Sequence, residues 1–419
     1  MWIMKLNLFF IVVLLLFFAC QSSMDDNKRL NPVIKEIVVP TKESGEPNLF
    51  VTKNGQVYLS WIEYLNDTTD ALLFSNLENN TWSKPQKIAS GADWFVNWAD
   101  FPSIVAYRND DQKLAAHWLQ QSSEGTYDYD VHISQSDNGG KTWTPSFIPH
   151  RDSISAEHGF VSMLPLPNDR IFATWLDGRN TKGEDIENVD SEHSGHGHHG
   201  AMTLRAATFD RFGNLYDEVE LDDRICDCCQ TSAALTEEGI IVVYRDRSEK
   251  EIRDISVVRQ VKGTWTTPIP VFQDNWFIAG CPVNGPSVKT NRNNVAVAWF
   301  TMEGEKGQVK IAFSNDNGKT FHTPYRIDDG NGLGRVDLMF LSQDEVLVSW
   351  IEKTEESAEI RVAKVNPNGK VGGSFILSTT SSSRKSGFPK IAKNDNQLLL
   401  AWTHVDSLTL VKTAILNFE

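Results

Sequence analysis

Residues 295–299 read Val-Ala-Val-Ala-Trp, and short strands of this kind, each closed by an aromatic, return along the chain. They are VYLSW ending at Trp61, LAAHW at Trp118, IFATW at Trp175, IIVVY at Tyr244, VLVSW at Trp350 and LLLAW at Trp402. The aromatics are 57, 57, 69, 55, 51 and 52 residues apart. Runs of this length, apolar or alternating and bounded by Gly, Asn and Asp, read as strands, and a fixed period of this size reads as a repeat architecture. A further strand precedes each aromatic (EPNLFV, FPSIVA, GPSVKT, FPKIAK among them), and a third and fourth follow. The seventh unit ends at TLVKTAIL with no fourth strand, but the chain opens with IKEIVVP at Ile34–Pro40, which supplies it. The expectation is an all-β fold, a β-propeller of seven four-stranded blades closed by the N-terminal strand, with six blades as the alternative. Lys35 to Glu419 is 385 residues, or seven units of 55, so residues 34–419 form one domain.

Composition agrees. Among 419 residues there are 13 Trp, 22 Phe and 27 Gly, as in aromatic-rich sheets. With 40 Lys+Arg against 55 Asp+Glu the net charge is −15, which argues against a nucleic-acid partner. Residues 1–19 place Lys5 before an apolar run too short for a membrane span, which needs about 20 residues, and read as a signal peptide. Phe17-Phe-Ala-Cys20 resembles a bacterial lipobox, which implies lipidation of Cys20. Residues 20–33 are a polar tether. The chain is thus expected to be a monomer held by lipid at the cell envelope, periplasmic or surface-exposed.

Two hairpins stand between third and fourth strands: Ser136-Asp-Asn138-Gly-Gly140-Lys-Thr142-Trp143 and Ser314-Asn-Asp316-Asn-Gly318-Lys-Thr320-Phe321. Asp or Asn bonds the local backbone, Gly takes positive φ, and the aromatic folds back into the blade. They resemble the Asp-box, or BNR, motif S-x-D-x-G-x-T-W, and by them the chain resembles the sialidase superfamily over the whole propeller. In that family these hairpins are structural and lie opposite the active face. The resemblance implies a glycoside hydrolase that clamps a carboxylate with an arginine cluster and uses a Tyr nucleophile paired with Glu and an Asp acid/base. The family's Arg-Ile-Pro segment near the first blade is absent here, and the late-blade loops hold no Tyr.

If the hairpins mark one face, the second-to-third and fourth-to-first connections share the other, and the unusual residues fall there. Asp100, Asp177 and Glu251 are the candidate catalytic carboxyls. Arg179, Arg245, Arg247, Arg253 and Arg335 are candidates for the carboxylate clamp, because a guanidinium fork fits a carboxylate in bidentate fashion. Trp94, Trp98 and Trp276 are candidates to stack on sugar rings. Glycan binding or hydrolysis, with no cofactor required, is the first reading. The second is a copper or zinc site: Cys226, Cys228, Cys229 and Cys281 with His196, His198 and His199 combine thiolate and imidazole. Two disulfides among those four cysteines are its competitor. The third is a non-catalytic scaffold that binds a protein partner.

Overall fold

The computed structural model describes residues 32–182, 200–394 and 397–418. The signal peptide, Cys20, and His196, His198 and His199 lie outside them. Seven antiparallel sheets follow one another along the chain. Their innermost strands are Ser44–Val51, Ser103–Tyr107, His158–Pro165, Ser232–Leu235, Ser287–Asn291, Gly332–Phe340 and Lys390–Lys393. Each packs beside the next, and the seventh packs beside the first, which makes the ring. The predicted closure is present. Val33–Ile37 pairs antiparallel with Thr409–Asn417, from Val33 opposite Asn417 to Ile37 opposite Thr413. The outer strand of the last blade is therefore the first strand of the chain.

Blade two departs from the pattern. It has three strands, and the predicted fourth, around Ser146–Pro149, contributes only the isolated bridge Ile133–Phe147. Pro145 and Pro149 flank it and withdraw two ladder donors, which limits pairing to one register position.

The repeat aromatics hold the sheets together. Trp61, Trp175, Trp299, Trp350, Trp402 and Tyr244 are all at most 1% exposed. Each is gripped between neighbouring sheets, as Trp350 is among Ala296, Val309 and Leu338. A buried indole removes about 150–250 Å² from water, roughly 4–6 kcal/mol of gross stabilisation. Its N–H still needs an acceptor, and several blades provide a carboxylate. Trp175 donates to Asp177 at 2.8 Å, Trp299 to Asp274 at 2.7 Å and Trp350 to Glu352 at 2.6 Å.

The two hairpins form as expected. Gly140 N–H and Gly318 N–H bond the hydroxyls of Ser136 and Ser314, and Asn138 and Asp316 accept from the amides of Thr142 and Thr320. Trp143 meets Phe74 of blade one edge-on, 6.1 Å between centroids, and Phe321 packs with Ile241 and Val243 of blade four. Each hairpin thus reaches back to the preceding blade. Glycine is required at both turns: a Cβ on Gly140 would lie 2.2 Å from Phe74, and one on Gly318 2.5 Å from Ile241, at φ of +82° and +76°.

Candidate functional site

On the face opposite the hairpins, three inner strands bulge at the same level, between Gly45 and Asn48, Gly159 and Ser162, and Gly334 and Asp337. Each bulge holds a non-glycine residue at positive φ: Glu46, Phe160 and Arg335. Bulges at the rim of a closed sheet re-aim side chains, and such backbone is costly outside functional sites. They surround a central cavity of about 180 Å³ bordered by Asp100, Gln230, Ser287, Asp337 and Lys390.

One side of this mouth is cationic and aromatic. Arg335 is buried, donates to Ser383 O at 3.0 Å and to Ser386 Oγ, and lies over Trp98 at 4.7 Å. Arg384 approaches the same indole at 5.9 Å, and Trp98 stacks on Phe388. Burial, then the charge of Arg384, pushes the Arg335 pKa down to about 10. No carboxylate among the described residues forms an ion pair with either arginine.

The other side is acidic. Tyr129 donates its hydroxyl towards both Asp100 at 3.1 Å and Glu157 at 3.0 Å, and Asp100 also accepts the Phe160 amide at 2.7 Å. Burial pushes Asp100 up to about 7. Burial first, with Asp100 and Asp227 adding to it, pushes Glu157 up to about 8. Tyr129 is raised well above its usual range by burial and the two carboxyls, so it stays a neutral donor. It is also fully buried, and a Tyr nucleophile must reach its substrate.

Beyond Glu157 lies a charged and sulfur-rich patch. Arg247 clamps Glu251 at 2.8 Å and Asp227 at 3.2 Å, and Arg253 pairs with Glu251 at 2.9 Å. The Cys226 sulfur stands 3.0 Å from that of Cys229, 3.9 Å from that of Cys228 and 3.3 Å from Arg253 Nη1. Burial disfavours a thiolate, but the two thiol donors and Arg253 outweigh it and hold the Cys226 pKa well below the usual range. All four cysteines here are free thiols, with Cys281 exposed beside Cys228.

The structure thus redistributes the expected site. The five arginines do not form one cluster. Arg245 is 1% exposed and held by bonds from Nε, Nη1 and Nη2 to the carbonyls of Asn284, Arg253 and Phe300, so it is fixed in the core and away from any ligand. Arg179 grips Asp177 with two bonds of 2.7 Å. Asp177 itself is fully buried; burial opposes its charge, but Arg179 and His158 hold it far below the carboxylate range, so it has no proton to give. Burial likewise opposes the charge on Glu251, and its two arginines outweigh it and lower its pKa. Trp94 stacks on Trp118, and Trp276 is buried under Arg245. Asp100, Arg335 and Trp98 do converge on the mouth. Tyr129 and Glu157 are additional residues there, visible in sequence only as ordinary strand-end positions.

No protein-family model and no curated protein matches the chain. Solved structures do. An ulvan lyase, described as a new family of polysaccharide lyase and bound to -[GlcA(1-4)Rha3S]-, superposes with a TM-score of 0.54 at 12% identity, over 90% of this chain and 94% of that one. An α-L-arabinofuranosidase from Fusarium graminearum gives 0.50 at 10% identity, over 92% and 97%. The likeness is one of fold: a β-propeller. A sialidase from Streptococcus pneumoniae covers 87% of this chain and 83% of its own at 10% identity, with a TM-score of 0.46. At these identities the likeness to these neighbours is one of architecture alone.

Proposed function

We propose that this propeller binds an anionic glycan at its mouth and cleaves it with acid assistance from Glu157. The observation that carries the reading is the Arg335–Arg384 pair on Trp98. In a chain of net charge −15, two adjacent guanidiniums stand without a protein counter-ion beside an aromatic face. A buried cation left unpaired is costly, and a sugar carboxylate or sulfate supplies both the charge and the bidentate acceptor. The indole offers the ring face that sugars stack on. Glycan-active neighbours of the same fold support this reading, the lyase bound to a GlcA-containing repeat most directly. Across a panel of uronate-bearing, sialylated, sulfated and neutral oligosaccharides, calorimetry should show binding restricted to acidic members. Arg335→Gln should weaken it about 10–100-fold, as expected for a lost charge-assisted contact. Equal binding of neutral and acidic glycans by the natural protein, or no binding at all, overturns the proposal.

A second reading has its own observation. Three sulfurs, one of them favoured as thiolate, converge at Cys226, Cys228 and Cys229. They are suited to a soft ion such as copper or zinc. Cobalt bound there would show thiolate-to-metal charge transfer that disappears in Cys228→Ser.

We also propose that the mature chain starts at lipidated Cys20. The intact mass of protein purified from membranes tests this: a diacylglycerol adduct absent from Cys20→Ala supports it, and an unmodified or uncleaved N-terminus refutes it.

A further inference from the structure

Two cations line the central cavity of the mouth without a partner. They are Lys289 and Lys390, on the inner strands Ser287–Asn291 and Lys390–Lys393 of blades five and seven. Both are half-buried, and neither has a hydrogen bond or ion pair among the described residues; the lysine salt bridges there belong to Lys113, Lys182, Lys310, Lys364 and Lys370. The polar groups around them are already engaged. Gln230 donates to Ala99 O and accepts the Gly285 amide. Ser287 donates to Asp337 Oδ1 at 2.8 Å, and Asp337 Oδ2 accepts the Ile391 amide at 2.8 Å.

What holds Lys390 is aromatic. Its Nζ lies 3.6 Å from the ring centroid of Phe101 and 6.0 Å from that of Phe388. A cation over a ring recovers about 0.5–2 kcal/mol, less than the several kcal/mol an ammonium loses on leaving water. Burial accordingly pushes the Lys390 amine down to about 8, with Lys289 adding to it and Asp337 opposing. The same Phe388 stacks on Trp98 at 5.8 Å and meets Phe101 at 5.7 Å. Trp98, Phe388 and Phe101 therefore make one continuous aromatic wall, with Arg335 and Arg384 at one end and Lys390 at the other.

We infer that Lys390 forms a second anion subsite, so that the glycan taken at the mouth carries acidic groups on neighbouring sugar rings. The inference rests on the glycan reading of the mouth and narrows its substrate class. The two subsites differ in chemistry. A guanidinium fork matches the plane of a carboxylate, whereas the Lys390 ammonium is a compact charge with three donors and takes either a carboxylate or a sulfate. The apolar wall between them is the kind of surface on which ring faces stack. A ligand with one acidic group satisfies the arginines and leaves the ammonium unpaired, so the same residue that favours a multiply acidic chain selects against a singly acidic one.

Calorimetry on the full chain tests this with two pairs of probes: galacturonate against trigalacturonate, and glucuronate against a chondroitin sulfate tetrasaccharide, which sets sulfate beside uronate. In at least one pair the multiply acidic member should bind about 10–100-fold more tightly than its monosaccharide, as expected for one more charge-assisted contact. The pair that responds tells carboxylate from sulfate. Lys390→Met keeps an apolar stem over Phe101 and removes the charge; it should cancel that gain and leave monosaccharide binding unchanged, which also shows that the variant is folded. Lys390→Arg should keep the gain, and Arg335→Gln should weaken both members of the pair. An undiminished gain in Lys390→Met overturns the subsite, and if Arg335→Gln still weakens every acidic ligand the glycan reading stands without it. A natural protein that binds none of the four probes overturns both.

Discussion

Trp299→Ala is expected to cost the propeller more than any other single change, enough to leave most of the chain unfolded at 37 °C unless a ligand rescues it. The indole is 0% exposed and packs with Val243, Val257 and Val297 between blades four and five. Truncating a buried Trp costs about 3–5 kcal/mol from lost burial and the cavity left behind. A second loss adds to it. The indole N–H bonds Asp274 Oδ2 at 2.7 Å, and Asp274 is 2% exposed with only Lys310 at 2.7 Å on its other oxygen. Removing that donor strands a buried carboxylate oxygen, a further penalty of about 1–3 kcal/mol. The total approaches the whole stability of an ordinary domain, about 5–15 kcal/mol. Trp299→Phe separates the two contributions, since it keeps most of the packing and loses the bond. Urea midpoints for both variants check the argument, and a Trp299→Phe protein as stable as the natural one would show that the Asp274 bond contributes nothing.

Glu157→Gln is expected to lower turnover of an acidic glycan by about 10²–10⁴-fold, the range for removing a positioned proton donor, with little change in KM. Glutamine keeps the shape and still accepts from Tyr129, so the loss isolates the proton. In the natural protein the rate should fall as pH rises through about 8, where Glu157 gives up its proton. Arg335→Gln should do the reverse, raising KM with kcat nearly unchanged. Retained turnover in Glu157→Gln sinks the acid role while leaving the binding site standing; if Arg335→Gln is also silent, the mouth is not the glycan site.

The ring itself was legible in the chain. Its signal is periodic and local: an apolar strand, a buried aromatic and a turn, repeated seven times, and the odd strand out at each end of the chain had only one partner to find. The weak fourth strand of blade two was less visible, because Pro145 and Pro149 act on ladder donors rather than on hydrophobicity. Charged residues were harder still. Asp177, two places after Trp175, reads as a loop acid but caps an indole, and Arg245, next to Tyr244, reads as a loop cation but is bonded to three carbonyls. The cysteine cluster was evident because it is contiguous. The Lys390 cavity was not, because the inner strands of several blades bring it together, and sequence distance conceals that.

The closing strand has a further consequence. Val33 pairs with Asn417, at the end of the blade's third strand, the end that in blades two and five runs into the hairpins. The polypeptide therefore enters the disc from the side opposite Arg335, Trp98 and Glu157. Held by its N-terminal segment to a flat support, the disc would lie with the hairpins beneath it and the mouth upward, open to whatever arrives from solution.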